Sequence, residues 1–205
     1  MKSILLLTDY SDTSRNAIEL ALHLYQGMAC SFTVLNCYLE LPLSTDQVDE
    51  AVDHNAQSRM GAYVEELRRQ GVSDSFSFKG MAIGGNLAVA VTGLYEKDPF
   101  DVVVVGASGE GHSVRLGSTA TELIRGARYP VLVVPSSAPI RAVHTIAVAV
   151  DYRNFRSPQV FEPIRELVGR GSKELVFITV LDADSSQQEV DTEGKMLLNE
   201  YFNEY

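Results

Sequence analysis

Basic residues are scarce in this chain. Lysine and arginine total 17 against 27 aspartates and glutamates, a formal net charge of −10. A surface of that sign repels phosphate backbones and anionic lipid, which argues against nucleic-acid and membrane partners. It leaves open a small anion held by backbone N–H groups. Cysteine is nearly missing: Cys30 and Cys37 are too few for a disulfide scaffold and fit a reducing, cytoplasmic setting. No apolar tract approaches the roughly 18 residues of a membrane span. The run Ile4–Leu7 is too short for the core of a signal peptide. The four histidines, His23, His54, His112 and His144, have no metal-ligand spacing, so no metal site is expected. A Gly-x-Ser-x-Gly elbow is also missing, which disfavours a hydrolase of that type.

What remains is a chain with 45% apolar and 21% charged residues, ample for a sizeable core over 205 residues. Ile4–Leu7, apolar on both faces, reads as a buried parallel strand. Ser11 is placed to cap a helix carrying Ala17, Ile18, Ala21, Leu24 and Tyr25 at helical spacing, with Gly27 as its stop. Phe32–Tyr38 reads as a second strand. Ser44 and Gln47 have capping-box spacing ahead of a long helix reaching about Gln70. Ser75–Phe78 is a third strand, and Gly84-Gly85-Asn86 opens another helix. Asp101–Val105, with four successive valines, is a fourth strand; a helix from about Ser118 to Arg125 and a strand Val131–Val134 come after it. Strands alternating with helices predict an α/β fold: a doubly wound five-stranded parallel sheet with right-handed crossovers.

Ser136-Ser137-Ala138-Pro139 reads as a linker, and the chain beyond it repeats the beginning. Ile4–Tyr10 matches Ile146–Tyr152 at offset 142. The first helix's apolar positions match Val160, Phe161, Ile164, Leu167 and Val168 at offset 143, as Phe32–Tyr38 matches Leu175–Leu181. The expected organisation is a domain over 1–137 and an incomplete second copy, β-α-β, over 144–205. This partial unit either docks on the first domain or on a neighbouring chain through Phe161, Ile164 and Leu167, or is the front of a longer tandem protein, the more natural object. Its tail, 182–205, holds seven acids and one lysine, read as a solvated helix face.

Candidate chemistry gathers in the segment 102–119. A valine strand delivers a glycine-rich loop, Gly106-Ala107-Ser108-Gly109-Glu110-Gly111, and a helix opens at Gly117-Ser118-Thr119. Glycines allow close backbone approach, and the first turn of a helix offers unpaired N–H groups to an anion. The segment comes after the fourth strand and has no lysine after its last glycine, so it is neither a dinucleotide fingerprint nor a Walker loop. A connection that binds nothing fits the same pattern. Asp9 ends the first strand, where ligands of open α/β sheets sit, and its carboxylate suits ribose hydroxyls. It equally suits the dipole of the Ser11 helix. His112 and Arg115 lie in the loop as phosphate contacts or as solvated side chains. Cys37 reads as strand filler rather than nucleophile, and Tyr10 and Tyr38 as packing beside the cleft.

These residues resemble the universal stress proteins. The resemblance rests on Ile4-Leu5-Leu6-Leu7-Thr8-Asp9-Tyr10-Ser11, Val34-Leu35-Asn36-Cys37-Tyr38, Asp101–Gly106, Gly117-Ser118 and Pro130–Pro135. It covers 1–135, and 144–181 more weakly. It implies strand order 3-2-1-4-5 and a site for ATP or AMP, with or without Mg2+. Thr8 and Asp9 would lie at the ribose and the Cys37 backbone at adenine. Gly106, Ser108 and Gly109 would line the diphosphate, and Gly117, Ser118 and Thr119 the terminal phosphates. It also implies a homodimer through Val131–Val134. The chain departs from the pattern: seven residues separate Gly109 from Gly117 where the family has nine, Leu7 replaces a proline, and the second copy has no glycine loop. Three functions fit: a protein that binds an adenine nucleotide as a signal or conformational ligand in the stress response, a dimeric scaffold with an empty site, and a slow ATP hydrolase. No catalytic residue is assigned.

Overall fold

The computed structural model describes residues 1–38, 46–70, 73–107, 118–152, 157–168, 174–180 and 192–203. Of the proposed features, the Ser44–Gln47 capping box and the loop residues Ser108, Gly109, His112, Arg115 and Gly117 lie outside what is described. The chain divides into two compact units, Met1–Arg141 and Ala142–Tyr205.

In the first unit, strands and helices alternate: β1 (Lys2–Leu7), α1 (Asp12–Leu24), β2 (Cys30–Tyr38), α2 (Asp46–Arg69), β3 (Phe76–Gly84), α3 (Leu87–Lys97), β4 (Val102–Ala107), α4 (Ser118–Gly126) and β5 (Val131–Pro135). The sheet order is β3-β2-β1-β4-β5, every pairing parallel. The expected fold is thus the observed one. Because side chains alternate along a strand, β1 feeds two cores. Ile4 and Leu6 pack with Ala17, Ile18 and Ala21 of α1 and with Met60, Tyr63 and Val64 of α2. Leu5 and Leu7 pack with Val91 of α3 and with Ala120 and Leu123 of α4. All four β1 residues are buried, which is why this strand reads as an unbroken apolar run.

Element ends differ from the sequence reading in a few places. Helix α1 is capped by Ser11, whose hydroxyl accepts from the Ser14 N–H at 3.2 Å, and ends at Leu24, before Gly27. Strand β3 runs six residues beyond Phe78, so Gly84 closes a strand rather than opening a helix; the cap of α3 is Asn86. Gly106 belongs to β4 itself.

The second unit holds β6 (Thr145–Ala149), a 3-10 turn (Pro158–Phe161), α5 (Glu162–Val168), β7 (Glu174–Ile178) and α6 (Thr192–Asn203). Strands β6 and β7 pair in parallel. Helix α6, which the acidic tail only hinted at, brings Phe202 to Phe177 and Phe161, with ring centroids 5.6 and 6.3 Å apart. Phe161 therefore packs inside its own unit. The other sheet face, Ala147, Ala149, Val176 and Ile178, is exposed. By the repeat offsets these positions correspond to Leu5, Leu7, Thr33 and Leu35, the face that α3 and α4 cover in the first unit.

Candidate functional site

Every helix of a doubly wound sheet begins just past the carboxyl end of a strand, so helix N-termini collect along one edge. In the first unit, a cavity of about 500 Å³ opens along that edge, within the range typical of small-molecule sites. Three helices start on it. Helix α1 contributes Ser11, Thr13 and Ser14, α3 contributes Gly85 and Leu87, and α4 contributes Ser118, Thr119 and Ala120. Helix N-termini carry partial positive charge and favour anions. They offset the acidity of this chain locally. Of the residues proposed from sequence, Thr8, Asp9, Cys37, Gly106, Ser118 and Thr119 line this one cavity. The first turns of α1 and α3 were missed. Their signal was present in the Ser11 cap and the Gly84–Asn86 start, once projected onto the carboxyl edge of the sheet.

The turn from β1 to α1 is closely organised. The Asp9 carboxylate accepts from the Ser11 N–H at 3.0 Å and from the Ser11 hydroxyl at 2.6 Å, both through Oδ1. Burial pushes the Asp9 carboxyl up, but the hydrogen bonds from Ser11 and Ser14 outweigh it and hold the group below the ordinary aspartate value. Asp9 is therefore an anion at neutral pH that serves its own turn through one oxygen. Thr8 lines the cavity, yet its buried hydroxyl lies 3.2 Å from that of Ser14 and accepts from the Tyr10 N–H at 2.9 Å. Ser118 and Thr119 are exposed at the start of α4, with hydroxyls free of such internal roles among the described residues.

Strand β2 reaches past the end of β1. The Leu35 carbonyl accepts from the Thr8 N–H, on the β1 side, while the Tyr38 carbonyl accepts from the Gly85 N–H, on the β3 side. Backbone groups alternate along a strand, so the N–H and C=O of Cys37 turn to the side that β1 has vacated, beside the cavity. Burial raises the Cys37 thiol, which keeps it protonated. What Cys37 offers is a main-chain donor and acceptor, the pattern that the edge of a purine base complements.

Gly106 has a reason independent of any ligand. A Cβ there would stand 2.9 Å from both the carbonyl oxygen and the Cγ2 of Thr13. The glycine lets the first turn of α1 lie directly on β4. Among the described residues no group of histidine, cysteine and carboxylate side chains could hold a metal ion, and no helix is long and apolar enough to cross a membrane.

Comparison with known proteins agrees with this architecture. A search of curated proteins finds no match. Among solved structures, the universal stress protein UspA from Lactobacillus plantarum is 23% identical, over 65% of this chain and 97% of its own, with a TM-score of 0.52. A universal stress protein solved in complex with cAMP is 19% identical, over 66% and 98%, with a TM-score of 0.51. A universal stress protein from Archaeoglobus fulgidus DSM 4304 aligns over 97% of this chain and 74% of its own, at 17% identity and a TM-score of 0.72. Residues 1–135 match the family model of the universal stress proteins. With that match over well more than half its length, and with the family's strand order in the sheet, the chain belongs to the universal stress protein family.

Proposed function

We propose that this protein binds an adenine nucleotide, ATP or AMP, in the cavity at the carboxyl edge of its first unit, and that the nucleotide serves as a signal or conformational ligand in a cytoplasmic stress response. The observation that carries the reading is the convergence of three helix N-termini, the Asp9 carboxylate and the Cys37 backbone on one cavity. Ribose hydroxyls would donate to Oδ2 of Asp9. The base edge would pair with Cys37. Phosphates would meet Ser118, Thr119 and the helix ends. A protein of the same fold crystallised with cAMP supports an adenine ligand. Binding to the folded chain stabilises it against unfolding, by about 2.7 kcal/mol at a ligand concentration of one hundred Kd.

The test is thermal unfolding with ATP, AMP and cAMP at millimolar concentration, with and without Mg2+, joined to mass spectrometry of the supernatant after denaturation. A raised melting temperature, or a nucleotide released from the purified protein, supports binding. Neither result leaves the second reading, a scaffold with an empty site. Gly106 favours that second reading, since packing against Thr13 explains it without a ligand. ATP turnover that disappears in Ser118→Ala would support a slow hydrolase instead.

A further inference from the structure

Tyr10 sits between Asp9 and Ser11 with φ at +65°, the one left-handed non-glycine residue among those described. A side chain costs free energy in that conformation, and surrounding contacts must hold it there. They come from α2. The Arg59 guanidinium carbon lies 3.9 Å from the centre of the Tyr10 ring. The Tyr63 ring meets it edge-on, with centroids 5.5 Å apart at 79°. Helix α2 is itself tied down. Gln57 donates to the Ala82 carbonyl of β3 at 2.7 Å, and Asp53 accepts from the Tyr38 hydroxyl at 2.9 Å. The Tyr10 hydroxyl is buried with no partner among the described residues, so the ring, not the hydroxyl, is what α2 holds. The reversal at Tyr10 sends its ring into the α1–α2 core and lets Ser11 fold back onto Asp9.

We propose that Tyr10 is a latch: the stack with Arg59 and Tyr63 holds a strained turn, and the turn fixes Asp9 at the cavity, so that helix α2 governs ligand retention. Neither Tyr10 nor Arg59 lines the cavity; both are positioning residues. The ligand part of the proposal rests on the nucleotide reading above.

The test compares Tyr10→Phe, Tyr10→Ala, Tyr10→Gly and Arg59→Met in the full chain. The readouts are ATP affinity by calorimetry and hydrogen exchange at residues 9–14 without nucleotide. Phenylalanine keeps the ring and retains wild-type affinity and protection. Alanine keeps the strain but loses the ring, so exchange speeds up and ATP binds about tenfold more weakly. Glycine loses still more packing but adopts positive φ freely, so it recovers affinity relative to alanine. A purely structural role would show that order in the melting temperature and leave the calorimetric affinity of the folded variants unchanged. Arg59→Met weakens binding about threefold, the value of an exposed cation–π contact. Glycine binding no better than alanine, or alanine binding like wild type, overturns the latch. If the wild-type chain does not bind ATP, the nucleotide reading fails, and exchange alone decides: unchanged protection in Tyr10→Ala overturns the latch in that case as well.

Discussion

Gly106 of β4 lies against the backbone of Thr13, so closely that a Cβ would stand 2.9 Å from the Thr13 carbonyl oxygen. The atom it meets is main chain at the start of α1 and cannot swing aside. Gly106→Ala should force α1 away from the sheet and cost about 1–3 kcal/mol, as overpacking does. The expected result is a melting temperature lowered by several degrees in ligand-free protein. An unchanged value would mean that α1 gives way easily and that the glycine answers to the ligand instead.

Asp9→Asn separates the charge of the carboxylate from its place in the turn, since an amide oxygen still accepts from the Ser11 N–H. The folded-state pKa of Asp9 is depressed. Its stabilising contribution is therefore fully present above the unfolded value, about 3.9, and is lost as pH falls through the lower folded value. Urea midpoints of wild type and Asp9→Asn should differ at pH 7 and converge as the carboxyl protonates below pH ~4. A gap of the same size in strong acid would show that charge is not the cause. ATP affinity at pH 7 should also fall in the variant.

Strand β5 bonds β4 on one side only within the first unit. Val103 N–H donates to Pro130 O, and Ser136 N–H to Ala107 O. By alternation, the backbone groups of Val131 and Val133 turn to the open edge. Pro135 shares that side, where its missing N–H breaks no ladder bond. An edge of this kind pairs readily, and we expect a two-fold homodimer through it. Light scattering at tens of micromolar should report a dimer, and Val133→Pro, which removes an outward donor, should yield monomer. A wild-type monomer at that concentration contradicts the expectation.

Residues 142–205, expressed alone, should show no cooperative thermal transition. The unit has one exposed sheet face, Ala147, Ala149, Val176 and Ile178, and parallel sheets need cover on both. Its side of the Phe161–Phe177–Phe202 cluster buries too little to offset chain entropy over so few residues. A sharp transition from the monomeric fragment would show that the aromatic cluster suffices.

Much of this architecture was legible from periodicity. Ile4–Leu7 and Val102–Val105 are buried on both faces and announce central strands. The continuation of β3 was not legible, because edge strands carry mixed patterns: Lys79 points to solvent, and Gly80 replaces a side chain because a Cβ there would stand 2.7 Å from Met60 Cγ of α2. The cavity was half legible. Asp9 and Gly106 could be placed because strand ends carry ligand chemistry, and Ser118 and Thr119 because they open a helix after a glycine-rich loop; Cys37 came from the family resemblance alone, and the contribution of α3 depended on knowing that Gly84 ends a strand. The left-handed turn at Tyr10 had no local signal at all. The rings and charge that meet Tyr10 come from α2, about fifty residues away in sequence.

The main-chain groups of Cys37 that face the cavity carry a genetic consequence. A substitution scan exchanges side chains, so at position 37 it would read the packing of a partly buried residue and not the main-chain groups. Proline is the one natural residue that deletes the N–H there. Under the nucleotide reading, the base would be recognised at that end of the cavity by polypeptide rather than by residue type, so side chains that fit the same packing would keep the contact.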